Sequence, residues 1–347
     1  MNITTIGIDL AKNVLQVHGV NERGKPRLRK QLKRAQVMAF FSNLAPCLIG
    51  MEACGSSHFW ARKLSALGHT VKLIAPQFVK PYVKTNKTDA ADAEAICEAV
   101  ARPNMRFVPV KTVEQQALLA MHRARQGFVA GRTAQANQIR GLLAEFGIVM
   151  PEGIRSLTKN VPEILGDADN GLPGTSRELF WRLFEHFREL DRQVRELEAK
   201  IIVWHREETQ SRRLEAIPGI GPLTASALVG SVGNATNFKN GRQFAAWLGL
   251  VPRQNSSGGK DRLLGISKRG DTYLRTLLIH GARAVLWRAR KQTGDSMGWL
   301  ARLAARRNPN VAAVALANKN ARIVWALLAH GRSYQATYAQ LPQHLAS

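Results

Sequence analysis

Asp9, Glu52, Asp89 and Asp92 are the residues whose type and placement could do chemistry together. Each falls at the end of a predicted element, and oxygen donors favour Mg²⁺ or Mn²⁺ over softer metals. Two such ions can clamp the attacking and leaving oxygens of a phosphodiester, so the set predicts metal-assisted phosphoryl transfer. Singly, each has an ordinary explanation: Asp89 is a first-turn helix acid and Asp9 a turn former. At matching ends of one element order they point to a site.

A serine is the second candidate. The stretch from Val251 to Lys260 is polar and reads as a flexible loop, with Ser256 and Ser257 standing before Gly258 and Gly259. Arg253, Lys260, Arg262, Lys268, Arg269 and Arg275 surround it. A serine among cations could attack a phosphodiester and be held as a phosphoserine link. The bland reading is loop composition. No His–Ser–Asp spacing suggests a hydrolase triad instead.

The elements that must position the acids follow from periodicity. Thr4 to Leu10 alternates as a strand with Asp9 at its end, Val14 to Val20 is a second strand, and Arg27 to Leu32 a third beyond the Asn21–Gly24 turn. Val37 to Leu44 reads as helix and Cys47 to Met51 as a buried strand ending in Glu52. Ser56 or Ser57 caps a helix closed by Gly68, His69 to Ile74 is a fifth strand, and Thr88 caps a helix from Asp89 to Val100. The order is βββαβαβα, an α/β class, and Asp89 and Asp92 share one helical face. Sugar kinases and actin-like ATPases open similarly, but Leu10-Ala11-Lys12 supplies no glycine turn for phosphate.

The chain has 347 residues, 45% of them hydrophobic, with 50 Lys plus Arg against 25 Asp plus Glu, for a net charge of +25. Enough is apolar for a large core, and the excess charge predicts a polyanionic partner, DNA or RNA. Cys47, Cys54 and Cys97 form no disulfide framework and no paired zinc spacing, which fits a reducing, intracellular home. Asp9 within the first apolar run argues against a signal peptide, and Asn318, Lys319, Asn320 and Arg322 break the best candidate for a membrane span. No membrane association is expected.

Val113 to Phe146 reads as one long helix carrying His122, Arg123, Arg125, Arg132 and Arg140, either contacting phosphate or simply solvated. A breaker-rich loop with Pro151, Gly153, Pro162, Gly166, Gly171, Pro173 and Gly174 follows. Phe180, Leu183, Phe187, Leu190, Val194, Leu197, Ile201 and Trp204 then step by three and four, predicting a coiled coil whose outer face includes Glu185, Arg192 and Glu198. We expect it to form an intramolecular hairpin that also helps subunits meet. Ile217-Pro218-Gly219-Ile220-Gly221 is a helix-hairpin-helix signature, whose turn and following N–H groups can meet a phosphate.

Three segments carry a resemblance: GIDLAK with Asp9, MEACG with Glu52, and KTNKTDAADAEAI with Asp89 and Asp92. They resemble the DEDD transposases of the insertion-sequence family numbered one hundred and ten. The IPGIG segment and PRQNSSGGK…GISKRGDTYLR are similar to that family's C-terminal transposase domain, most like the subgroup numbered eleven-eleven. The resemblance implies a RuvC-like domain with an RNase H fold over 1–147, a linker and coiled coil over 148–210, and a mostly helical transposase domain over 211–347. It implies a cytoplasmic prokaryotic recombinase beside the nucleoid, guided by a bridge (or seeker) RNA that pairs with donor and target DNA. Asp9, Glu52, Asp89 and Asp92 would hold Mg²⁺ or Mn²⁺, and Ser257 would be the nucleophile, with Ser256 second. Gly219, Gly221, Arg253, Lys260, Arg262, Lys268 and Arg269 would contact nucleic acid. Subunits would act as a dimer of dimers with composite sites. Two rivals remain: a RuvC-type resolvase or RNase-H-like nuclease using water, and a non-catalytic RNA-binding protein.

Overall fold

The computed structural model describes residues 2–84, 88–289 and 298–335. Two compact units divide the chain, Met1–Val113 and Glu114–Ser347. The first is α/β and the second mostly helical.

In the first unit β1 (Thr5–Leu10), β2 (Val14–Val20) and β3 (Pro26–Lys33) form an antiparallel meander, followed by α1 (Val37–Ser42), β4 (Leu48–Glu52), α2 (Ser57–Ala66), β5 (Thr70–Ile74), α3 (Pro76–Val79), α4 (Asp89–Val100) and β6 (Phe107–Val108). The sheet order is β3-β2-β1-β4-β5-β6, with β1, β4 and β5 parallel. The sequence pattern misses only the short antiparallel β6 and the single-turn α3 among these. Ile6, Ile8, Leu15, Val17, Ile49 and Met51 are buried on the face that meets α1 and α2. The opposite face is covered by α4, and two glycines let it lie close. A Cβ on Gly7 would stand 2.2 Å from the Ala93 carbonyl oxygen, and one on Gly50 would stand 2.7 Å from the Val100 Cβ. Thr88 caps α4 as expected, its Oγ accepting from the Ala91 N–H at 3.2 Å. Ser56 does not cap α2: its φ is +66° and no side-chain cap bond forms, while the Ser57 hydroxyl donates to the Cys54 carbonyl.

The second unit begins with α5 (Val113–Ala144), α6 (Ile154–Gly166) and α7 (Gly174–Glu207). α5 packs on α6 and α7: Ile139 and Leu143 share a core with Leu157, Phe180, Phe184 and Phe187. The predicted breaker loop contains α6, Pro162 included, because Leu157 and Val161 are buried in that same core. Burial offsets the roughly 3 kcal/mol that an interior proline costs a helix. α5 and α7 run antiparallel, linked by Arg125–Glu198 at 2.8 Å and Arg132–Asp191 at 2.5 Å. The buried line on α7 is Phe180, Phe184, Phe187, Asp191, Val194, Ile201 and His205, so alternate positions lie one residue beyond the predicted stripe. Glu198 faces Arg125, not the outer surface where the pattern put it. Two ion pairs between the helices draw the seam toward residues that apolar periodicity does not count.

Next come α8 (Thr209–Glu215), α9 (Pro222–Val232), α10 (Gly241–Trp247), a hairpin of β7 (Pro252–Gln254) and β8 (Leu263–Ile266), α11 (Thr272–Ala289), α12 (Trp299–Arg306) and α13 (Pro309–His330). By length and composition α13 could cross a membrane, yet Ala313, Ala317, Ala321 and Val324 are fully buried in the core of this unit. Its polar residues are used internally: Asn320 donates to the Pro218 carbonyl and Asn318 to that of Leu250.

Candidate active site and nucleic-acid interface

Strand register brings the first two acids together. β1 and β4 pair in parallel up to Ile8 opposite Met51, so Asp9 and Glu52 are the next residues along neighbouring strands, about 4.8 Å apart in backbone spacing. Both lie on the α4 face, since Gly7 and Gly50 two residues earlier meet that helix. Both are half-buried. α4 runs antiparallel to β1, because the Cys97 thiol reaches the Thr5 carbonyl while Ala93 overlies Gly7. Extrapolating four residues of helix and two of strand, each about 6 Å, sets Asp89 at the level of Asp9. Asp92 occupies the same first turn, half-buried where Asp89 is exposed. Thr85–Lys87, just before it in the KTNKTDAADAEAI segment, lie outside the described residues.

The donor chemistry fits a hard divalent cation. Burial, then Glu52, then Asp9, push the Cys54 thiol up, so the sulfur beside the acids stays protonated and oxygen is left as the ligand. Among the described residues, no three His, Cys, Asp or Glu side chains close around a common point. Asp9 and Glu52 stand side by side on neighbouring strands, and Asp89 and Asp92 lie in the first turn of α4.

The serine stretch is a β-hairpin, not the flexible loop its composition predicts. The Lys260 N–H donates to the Ser257 carbonyl at 3.1 Å, and Gly258 and Gly259 have φ of +56° and +75°. Two left-handed residues make a type I′ turn, which only glycine enters cheaply. Strand alternation sorts the side chains. Ser257, Lys260, Asn255 and Arg262 fall on one face, Ser256, Asp261 and Gln254 on the other. Ser256 donates to Asp261 at 3.0 Å and accepts from Gln254 at 3.0 Å and from the Arg262 N–H at 3.3 Å. The two serines thus differ: one is held by an acid, the other shares its face with two cations. Asp261 was not singled out by the sequence, although it is the sole acid between Arg253 and Arg269.

Arg253, Lys260, Arg262, Lys268 and Arg269 are exposed. Arg275 is not available to phosphate: it is 8% exposed and donates to the Leu248 carbonyl and the Thr272 hydroxyl. The long helix α5 gives a similar correction. Arg125 and Arg132 hold α7, Arg140 donates to the Gly153 carbonyl, and His122 is buried between Tyr273 and Ser226. Of those five residues Arg123 is exposed, with no such partner among the described residues. Gly219, in the turn between α8 and α9, has φ +90°, and a Cβ there would stand 2.8 Å from the Gly281 carbonyl oxygen of α11. Packing already requires that glycine. Gly221, at the start of α9, is exposed with open space around it.

Comparison with known proteins gives the class first. The family model for DEDD transposases matches residues 6–148, and a model described as "Transposase IS116/IS110/IS902 family" matches 211–297. The chain is 55% identical to a "Probable family 20 transposase" of Pseudomonas aeruginosa over 96% of its own length and 99% of that protein's. It is 45% identical to the transposase for insertion sequence element IS1328 of Yersinia enterocolitica, covering 95% and 98% of the two chains. For the transposase of IS1111A from Coxiella burnetii the identity is 43%, over 96% and 92%. The chain belongs to the IS110 family of DEDD insertion-sequence transposases. Membership implies DNA substrates, DNA cleavage and transfer, and a divalent metal of the kind the family typically uses, and the DEDD domain suggests a RuvC-like fold.

Proposed function

We propose that this transposase is an RNA-guided site-specific recombinase that cuts and rejoins DNA through Ser257, assisted by Mg²⁺ (or Mn²⁺) at Asp9, Glu52, Asp89 and Asp92. The observation that carries the metal half is the register of Asp9 and Glu52 beside the first turn of α4. When bound, the metal supplies Lewis-acid activation of the attacking hydroxyl and neutralises charge on the phosphate. The serine half rests on the sorting of the hairpin. A phosphate approaching Ser257 meets Lys260 and Arg262, whereas one approaching Ser256 meets the Asp261 carboxylate. Ser257 Oγ attacks phosphorus, loses its proton, and the departing DNA hydroxyl takes one up. Attack by another DNA hydroxyl on the phosphoserine ester reverses the exchange and reseals the backbone.

The net charge of +25 supports a structured RNA as a second polyanion beyond the DNA. Arg253, Lys268, Arg269 and the turn at Gly219 and Gly221 serve nucleic-acid backbone, and the α5–α7 pair acts as a coiled-coil spacer that brings subunits into a dimer and then a tetramer. Composite sites combine the acids of one subunit with the serine of another.

A denaturing gel tests the chemistry. The parent protein should leave a DNA-linked phosphoserine species that Ser257→Ala does not form. Cleaved DNA with no covalent adduct would favour the water-using nuclease. For the RNA, protein purified from cells carrying the whole element should retain one discrete RNA at moderate salt. Recovery of heterogeneous RNA alone would mark a generic binder.

A further inference from the structure

The register that joins Asp9 to Glu52 continues across the meander. Asp9 pairs with Gln16 on β2, and Gln16 pairs with Gln31 on β3. One row of the sheet therefore reads Glu52, Asp9, Gln16, Gln31, all on the face that carries α4. The flanking rows end at the same edge strand in Arg29, opposite His18, and Lys33, opposite Val14. On that face α4 rests on Gly7 and Gly50, and its Glu94 approaches His18. Beyond it Arg29, Gln31 and Lys33 are exposed. On the other face Leu32 is buried, and Lys30, itself exposed, lies over the Phe40 ring.

An edge strand rich in cations ordinarily serves to prevent strand addition. Two features go beyond that. Residues 22–34 hold seven Lys or Arg and one acid, far more than an edge needs. The outward set also lies in line with the carboxylates, two strand spacings or about 10 Å away. Four acids at a cleavage centre repel a phosphate backbone at long range, so a strand reaching them needs cations beside the acids to hold it. Among the described residues Arg29 has one ionic partner, Glu94 at 3.6 Å, and both side chains are well exposed. A surface pair of this kind contributes little and yields readily to phosphate.

We infer that the α4-side face of β3, through Arg29 and Lys33 with Gln31 and Gln16 between them and Asp9, is a track for the backbone of the DNA strand whose phosphate is cut. The inference rests on the proposal that the acids are the cleavage centre. Lys33 and Arg29 hold phosphates on either side of the row, and the two glutamine amides donate to backbone oxygens without adding charge that would compete for the metal.

The test uses the full chain with its element RNA and a DNA duplex spanning the element's own end. Replacing Arg29 and Lys33 together by glutamine should lower the slope of log binding constant against log salt by about 2, one for each phosphate no longer neutralised. The swap Arg29→Lys with Lys33→Arg should restore the slope, showing that charge and not folding is read. In a Cys54→Ser background, Gln31→Cys should form a disulfide with thiol-tethered DNA within two nucleotides of the cut. An unchanged slope, or cross-links confined to RNA or to DNA far from the cut, overturns the track. Asp9→Asn separates the two ideas. If it still cleaves, the acids are not the cleavage centre and the inference falls with that reading. If it is dead while the glutamine variant keeps the parent's slope, the track alone has failed.

Discussion

Asp9 and Glu52 stand on strands whose neighbours Ile8 and Met51 are completely buried, whereas residues 252–263, the hairpin that carries Ser257, are exposed throughout. The first site is positioned by packing: strand register fixes two acids, and close approach of α4 at Gly7 and Gly50 fixes the other two. The second is positioned by polar side chains, because Gln254, Ser256 and Asp261 tie the two arms of a hairpin that has no core of its own. Two strands alone are marginal in water. A metal site needs several ligands held within fractions of an ångström of one another. A nucleophile that must travel to its phosphate needs only a defined face.

The largest effects should come from the reacting groups. Asp9→Asn and Ser257→Ala are each expected to lower strand exchange by roughly 10³-fold or more, as loss of a catalytic group does. Neither should lower the melting temperature noticeably, since Ser257 is exposed and the Asp9 change leaves its shape intact. Mixing the two inactive proteins should recover some product if sites are shared between subunits. Activity of Ser257→Ala alone, with Ser256→Ala dead, would reassign the nucleophile, and activity in both would remove covalent serine catalysis.

How much of this could be read from the chain differs between the two sites for physical reasons. The strand order and the helix at Asp89 were legible because buried alternation and a Thr88 cap leave strong local marks. The need for Gly7 and Gly50 leaves no local mark, since it lies in a helix whose contacting residues, Ala93 and Val100, are far along the chain from each. The hairpin has the composition of a loop, because its arms are exposed on both faces and its backbone ladder and side-chain bonds leave no apolar periodicity. The displaced seam on α7 was illegible for the same cause: Asp191 and Glu198 enter it through Arg132 and Arg125.

Packing makes the first site sensitive to volume. Gly7→Ala would drive a methyl into the backbone at Ala93 and Cys97, within 2.4 Å of the Cys97 nitrogen, and should cost about 3 kcal/mol while shifting α4 and its acids. Gly258→Ala faces open space and pays only the left-handed penalty of about 1–2 kcal/mol, local to the hairpin. Denaturant titration of the two variants should therefore separate them clearly. Comparable losses in both would mean the hairpin is packed against more than its own arms.

A buried histidine gives the second unit an acid sensitivity that its exposed hairpin lacks. Burial first, and then Arg125, push the His122 pKa down from 6.5 to about 4. Above about pH 6.5 the ring is neutral in both folded and unfolded chains and contributes no pH dependence. As pH falls from there toward 4 the unfolded chain takes up the proton first, so stability should drop by on the order of 3 kcal/mol. His122→Gln should flatten that part of the profile, whatever its cost at neutral pH. An equal acid slope in the variant would assign the loss to other groups.

The smallest effect tests the hairpin's own device. Ser256→Ala removes the hydroxyl that joins Gln254, Asp261 and the Arg262 N–H, and Asp261→Ala removes its acceptor. All are exposed, so stability should move by less than about 0.5 kcal/mol. If the bonds orient Ser257, covalent product should nevertheless form about tenfold more slowly, because removing a positioning interaction of about 1.4 kcal/mol is a factor of ten in rate. Asp261→Asn keeps an oxygen acceptor for the Ser256 hydroxyl and should recover most of that loss at all pH values. A base would behave otherwise: Asp261→Asn would be as slow as Asp261→Ala. Comparing adduct formation in the three variants thus decides whether Asp261 holds the hairpin or takes a proton from it, and so whether exposed polar side chains can do for a serine what buried strands do for the acids.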